Sequence, residues 1–192
     1  MPEGVFDLDG ELMAPATQPY ANNLDTWQVE LAASVDYQLR IEAPEAYPAL
    51  WRGRAPRHSG YWYTGSVFSW PHATIDPFVE TLRTDQGMDI SELADGLVSH
   101  LWGVAVDEEG LVRGLQASQI EVIDGAGESA EIVLALVGED EGVENPPVFF
   151  LAFDLAPGEV EVRVEGESGE WASTRYLCEG GEVLSPWWFG AP

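Results

Sequence analysis

The chain has 192 residues, 45% of them hydrophobic and eight of them tryptophan, enough for a core and unlike a disordered segment. Its 34 acidic residues face eight basic ones, all arginine, for a formal charge of −26. That balance argues against direct contact with nucleic-acid phosphates or an anionic membrane, both of which need clustered cations.

No apolar run reaches the roughly 20 residues of a bilayer span. The start, MPEGVFDLDG, lacks the basic and apolar regions of a signal peptide. The single cysteine, Cys178, leaves no intramolecular disulfide, so a cytoplasmic setting, host or viral, is the expectation. One domain over 1–192 is expected, with a mixed β/α part (1–102) leading into a β-meander (103–192).

The first predicted element is a hairpin, Phe6–Leu8 and Glu11–Met13, with Asp9-Gly10 as a type I′ turn. The same run, Val5-Phe6-Asp7-Leu8-Asp9-Gly10-Glu11-Leu12, resembles the first motif of haloacid-dehalogenase-type phosphotransferases. That resemblance implies Asp7 as nucleophile and Asp9 as general acid/base in Mg²⁺-assisted aspartyl-phosphate chemistry. Ile132 to Val137 running into Gly138-Glu139-Asp140 is similar to the family's late strand. Glu11 stands where the family has threonine, however, and no lysine exists to clamp phosphate. The strand-rich remainder also departs from the family's alternating strands and helices, so the hairpin is the leading reading.

Trp27, Val29 and Leu31, then Val35, Tyr37, Leu39 and Ile41, alternate with other residues and predict half-buried strands. Residues 43–60 hold three prolines and two glycines and predict a long loop, followed by an aromatic strand at Tyr61-Trp62-Tyr63 and Val67-Phe68. Asp76-Pro77 ahead of Phe78, Val79 and Leu82 predicts a short helix with an Asp cap and proline in its first position. A second helix is predicted from Ile90, Leu93, Ala94, Leu97, Val98 and Leu101, one apolar stripe at helical spacing. Asp89 would cap it, with Glu92 completing a capping box and Gly103 as its stop. From Val104 the pattern turns to strands: a hairpin through Asp107–Gly110, then strands near 117–123, 131–137, 148–154, 160–165 and 171–178. Ile132–Val137 and Val148–Phe153 are apolar enough to be covered on both faces, whereas Val160, Val162 and Val164 alternate with charged residues. The expected fold is α+β, mainly β: an antiparallel β-sandwich or strongly curved sheet with one or two short amphipathic helices packed on it.

Site candidates are sparse. Trp51, Arg52, Arg54, Arg57 and His58, with Tyr61, Trp62 and Tyr63, form the one stretch that interrupts the acidic pattern, and arginines and aromatics are typical binding anchors. Trp187 and Trp188 near the C-terminus are a second aromatic candidate surface. The histidines His58, His72 and His100 are too scattered for a metal site; His72 and Asp76 make an HxxxD pair, but Pro71 and Pro77 flank it. His100 is placed at a helix end. Asp107-Glu108-Glu109 and Glu139-Asp140-Glu141-Gly142 lack EF-hand spacing and read as acidic turns. No cofactor is expected, Mg²⁺ or Ca²⁺ being the ions that the other readings would use. Cys178 reads as a core cysteine.

The acids are dispersed, 15 with five arginines in residues 1–100 and 19 with three in 101–192, as in a solvated surface. Adaptation to a salt-rich cytoplasm (halophilic adaptation), docking on a basic partner and ordinary drift of an acidic surface each account for this. The expected function is a soluble, non-catalytic interaction protein of inhibitor, immunity or accessory type, including a nucleic-acid mimic that binds a basic protein. A metal-dependent phosphohydrolase using Asp7 and Asp9, or a carbohydrate-binding β-sandwich, are the alternatives.

Overall fold

The computed structural model describes residues 2–6, 12–15, 32–54, 70–107, 110–111, 116–136, 148–166, 169–185 and 187–189. The N-terminal strands are β1 (Pro2–Phe6), β2 (Leu12–Pro15), β3 (Asp36–Ile41), β4 (Ala46–Tyr47), β5 (Ala49–Arg54) and β6 (Trp70–Pro71). After helix α1 (His72–Gln86) come β7 (Ser99–Asp107), β8 (Gly110–Leu111), β9 (Ile120–Ile123) and β10 (Val133–Leu136). The last five are β11 (Val148–Leu155), β12 (Gly158–Glu165), β13 (Trp171–Cys178), β14 (Val183–Leu184) and β15 (Trp187–Phe189).

The fold is α+β and mainly β, in three layers. A large mixed sheet in the order β10-β11-β7-β14-β5-β3-β1-β2 forms the middle, with β8 and β15 also paired to β7. A three-stranded sheet, β13-β12-β9, covers one face. Helix α1 covers the other. The first core lies between the sheets: Leu50, Leu101, Phe150, Ala152, Leu155 and Leu184 meet Val122, Val160, Val162, Val164, Tyr176 and Cys178. The second core places Trp102, Leu151 and Val183 against Ile75, Val79 and Leu82 of the helix. Each fully buried aliphatic or aromatic side chain here contributes about 1.5–3 kcal/mol.

Period-two geometry explains how one sheet serves both cores. In β11, Phe150 and Ala152 point to the first core while Leu151 points to the second; Leu101 and Trp102 divide β7 the same way. The nearly continuous apolar run of β11 is thus covered on both faces, as its composition predicts. In β12, Val160, Val162 and Val164 are buried and the charged residues between them are not. The hairpin at Val104–Leu111 forms, with Val106 opposite Leu111 and Asp107 opposite Gly110. β1 and β2 pair antiparallel, with Val5 opposite Ala14 and Phe6 opposite Leu12, whereas a two-residue turn at Asp9-Gly10 would set Phe6 opposite Met13; the expected turn lies outside the described residues. The other neighbour of β1 is also antiparallel, β3.

Four expectations are corrected. The helix over Asp89–Leu101 does not form. Only a 3-10 turn, Leu93–Asp95, appears there, ended by Gly96 in the left-handed region (φ 67°), and β7 begins at Ser99. The stripe is broken in space: Ile90 and Leu93 are buried beneath α1, Leu97 is 72% exposed, and Leu101 joins the sheet core. Pairing of β7 with both β11 and β14 outweighs the helical pattern that the same residues display.

The helix that does form starts at His72, not Asp76. Pro71 occupies the cap position and Pro77 lies inside, so Asp76 is a helical residue and no cap. Lacking an N–H, Pro77 leaves the Ala73 carbonyl without its intrahelical donor, but Ala73 is exposed to solvent. Ile75, Val79 and Leu82 form the buried stripe, and Gly87 ends the helix at φ 69° with its N–H on the Leu82 carbonyl.

The segment 43–60 is not one long loop. β5 lies inside the sheet, antiparallel to β3 and parallel to β14. Ala49, Leu50 and Trp51 are buried, and the two described prolines fall outside the ladder: Pro44 in a turn, and Pro48 between strands, its carbonyl accepting the Val183 N–H. The parallel pairings of β14 and β15 also make the sheet mixed, where an antiparallel one was expected. Among the described residues, no helix is long and apolar enough to cross a membrane.

Candidate functional site

A cavity of about 330 Å³ opens between α1, the segment Ser91–Leu93, Tyr47 of β4 and His100 of β7. The helical period builds one wall. Ile75 and Val79 turn inward, while Asp76, Glu80 and Arg83 follow on the adjoining stripe, three and four residues apart. Leu93 closes the floor with them, and all three apolar residues are buried.

The polar groups are held in place by one another. The Tyr47 hydroxyl donates to Asp76 Oδ1 at 2.8 Å, and the Tyr47 ring stacks at a tilt on His72, 4.3 Å between centroids. Burial, helped by the Asp76 hydrogen bond, pushes the Tyr47 pKa up to about 12. Arg83 donates through Nε and a terminal nitrogen to the Ile90 carbonyl, and its other terminal nitrogen lies 3.0 Å from Glu92 and 3.6 Å from Glu80. The guanidinium is therefore neutralised where it stands.

His100 is 1% exposed, with Phe153 edge-on at 5.1 Å. Its Nδ1 accepts the Asp154 N–H at 3.3 Å, and burial lowers its pKa, so the ring is neutral near pH 7. Asp154 has φ 56° at a register shift in β11. That irregularity aims its carboxylate at the Ser91 N–H, 2.8 Å away, and pins the Ser91–Leu93 segment over His100. With Nδ1 occupied by the backbone, His100 is poorly placed as a general base. Cys178 is buried, and burial raises its thiol pKa, which disfavours the reactive thiolate. Among the described residues, no group of three His, Cys, Asp or Glu side chains is placed to hold a metal ion.

Around the cavity mouth the surface is acidic. Residues 72–97 carry Asp76, Glu80, Asp85, Asp89, Glu92 and Asp95, all exposed, against the single Arg83. On the opposite side, the outer face of β9, β12 and β13 is a paired network: Arg163 contacts Glu121 and Glu161, and Arg175 contacts Glu159 and Glu161. Arg40 contacts Glu42, Glu179 and the buried Glu182.

Those of the expected binding residues that are described do not line this cavity. Trp51 is 7% exposed in β5, a core residue. Arg52 donates to the Arg175 carbonyl, tying β5 to β13. Arg54 ends β5, and Trp187 and Trp188 lie in β15 opposite Val104 and Ala105. Asp7, Asp9, Arg57, His58, Tyr61, Trp62 and Tyr63 are outside the described residues. His72 and Asp76, which Pro71 and Pro77 argued away from a common helix, sit one turn apart on α1. His100 is in a strand and not at a helix end. Tyr47, Arg83 and His100 carry no local sequence signal for the cavity that they line. No protein-family model, curated protein or solved structure matches the chain.

Proposed function

We propose that the protein is a non-catalytic interaction protein that docks on a basic partner through the acidic face formed by residues 72–97. One observation carries this reading. All five arginines whose side chains are described, Arg40, Arg52, Arg83, Arg163 and Arg175, are engaged by the protein's own carboxylates or carbonyls. On the 72–97 face this leaves six exposed carboxylates with one arginine among them. Such a surface steers a cationic partner and rejects an anionic one. Leu97, 72% exposed beside Asp95, adds an apolar point to the same face.

The test is capture of partners from the native host extract by the wild-type chain and by Asp85→Asn/Asp89→Asn/Asp95→Asn. These three exposed residues do not line the cavity described above and can be neutralised without touching a core. A basic protein held by the wild type and lost by the triple variant is the expected result. Equal retention by both chains, or no specific partner at low salt, would overturn the proposal.

A further inference from the structure

The geometry points to the cavity between α1 and the Ser91–Leu93 segment as a binding site for a cationic head on a short aliphatic stem, an alkylammonium. Its floor is apolar, formed by Ile75, Val79 and Leu93, and suits methylene groups. Its rim carries Asp76, Glu80 and Glu92. The one cation among the lining residues, Arg83, bridges Glu80 and Glu92 and does not reach Asp76, so three carboxylates share a single guanidinium. His100 presents no second positive charge, since its Nδ1 is an acceptor for the Asp154 N–H. Tyr47 occupies one acceptor position of Asp76, and a carboxylate offers about four. A volume of about 330 Å³ lies at the small end of ligand cavities, the right scale for a side chain or a small amine.

This site goes beyond the docking role and stands without it. The same chemistry is offered by the lysine side chain of a basic partner and by a free alkylamine. Binding is read from the methyl resonances of Ile75, Val79 and Leu93 in the full chain at about 150 mM salt, where loosely held surface charge is screened. n-Butylammonium is expected to shift these methyls saturably, whereas n-butanol and sodium ion do not. Asp76→Asn is expected to weaken the response roughly ten-fold, the worth of one charge-assisted hydrogen bond. Glu80→Gln, at an exposed helix position, gives a second reading should Asp76→Asn disturb Tyr47. Asp85→Asn/Asp89→Asn/Asp95→Asn is expected to leave the response unchanged, which separates this site from the docking face. Nα-acetyl-lysine methylamide shifting the same methyls would identify a partner's lysine as occupant; a response to butylammonium alone would identify a free amine. Equal shifts with butanol, or unsaturable ammonium shifts spread over the acidic surface, would overturn the inference.

Discussion

Replacing Gly103 with alanine is expected to destabilise the chain by about 3 kcal/mol, through overpacking of the core between the two sheets. Gly103 sits in β7 directly opposite Phe150 of β11. The Phe150 ring lies over it, and a Cβ built there would stand 2.2 Å from the ring's Cζ. Phe150 is completely buried, so its ring has no empty space to enter. In thermal unfolding the loss corresponds to a drop of roughly 6–12 °C for a chain of this size. Gly103→Ala/Phe150→Leu is expected to recover part of it, because the shorter side chain vacates the space over β7. An unchanged midpoint for Gly103→Ala would show that the ring does not rest on the glycine.

Glu182→Ala is expected to cost about 3 kcal/mol, the penalty of stripping one partner from a buried ion pair. Glu182 is 1% exposed. It contacts Arg40 at 2.8 Å and accepts the Glu179 N–H at 2.9 Å, so truncation removes the acceptor of that N–H and leaves Arg40 with only its exposed partners, Glu42 and Glu179. Glu182→Gln keeps an acceptor for that N–H and removes the charge, and its effect depends on pH. Burial raises the Glu182 carboxyl above the usual carboxylate range, against the pull of the Glu179 N–H and Arg40. A raised carboxyl binds its proton more tightly in the folded chain than in the unfolded one. Stability from this group is therefore present below the ordinary glutamate range and is lost as pH rises through the raised value. Urea unfolding should then show Glu182→Gln gaining on the wild type as pH rises from the ordinary glutamate range, about 4.3, through the raised value. A difference between the two chains that stays constant, or moves the other way, would contradict this.

The strands were largely legible because alternation is a local signal that sheet burial reinforces. Val160, Val162 and Val164 each face the core in the register that their spacing implies. The apolar run 148–153 signalled two covered faces, and the structure places a core on each. The second helix failed for the opposite reason. Residues 90–101 satisfy both a helical stripe and, from Ser99, a strand, and the choice between them rests on β11 and β14, which no local pattern discloses. The prolines of 43–60 advertised a loop, yet Pro44 and Pro48 merely bracket β4, and the buried Ala49-Leu50-Trp51 run completes the sheet.

The cavity was less legible still. Tyr47 and Asp76 are 29 residues apart, and His100 and Asp154 are 54 apart. Their meeting depends on the packing of α1 against β4 and on an irregularity in β11, both tertiary facts. Charge was legible as a total but not as a distribution. Within the arginine-rich stretch, Arg52 is engaged by a backbone carbonyl, and among the described residues six exposed acids with one arginine lie on α1 and the segment after it.

The docking claim is tested most directly by measuring two quantities side by side across salt: the affinity for a captured basic partner and the chain's own unfolding midpoint. From about 50 to 500 mM sodium chloride the Debye length shrinks roughly three-fold, so attraction between exposed charges is progressively screened. Docking through the 72–97 face predicts that the dissociation constant rises steeply with salt while the chain stays folded throughout. A chain that unfolds at the low end, with partner affinity indifferent to salt, would contradict it and leave the acidic surface as an adaptation to a salt-rich medium.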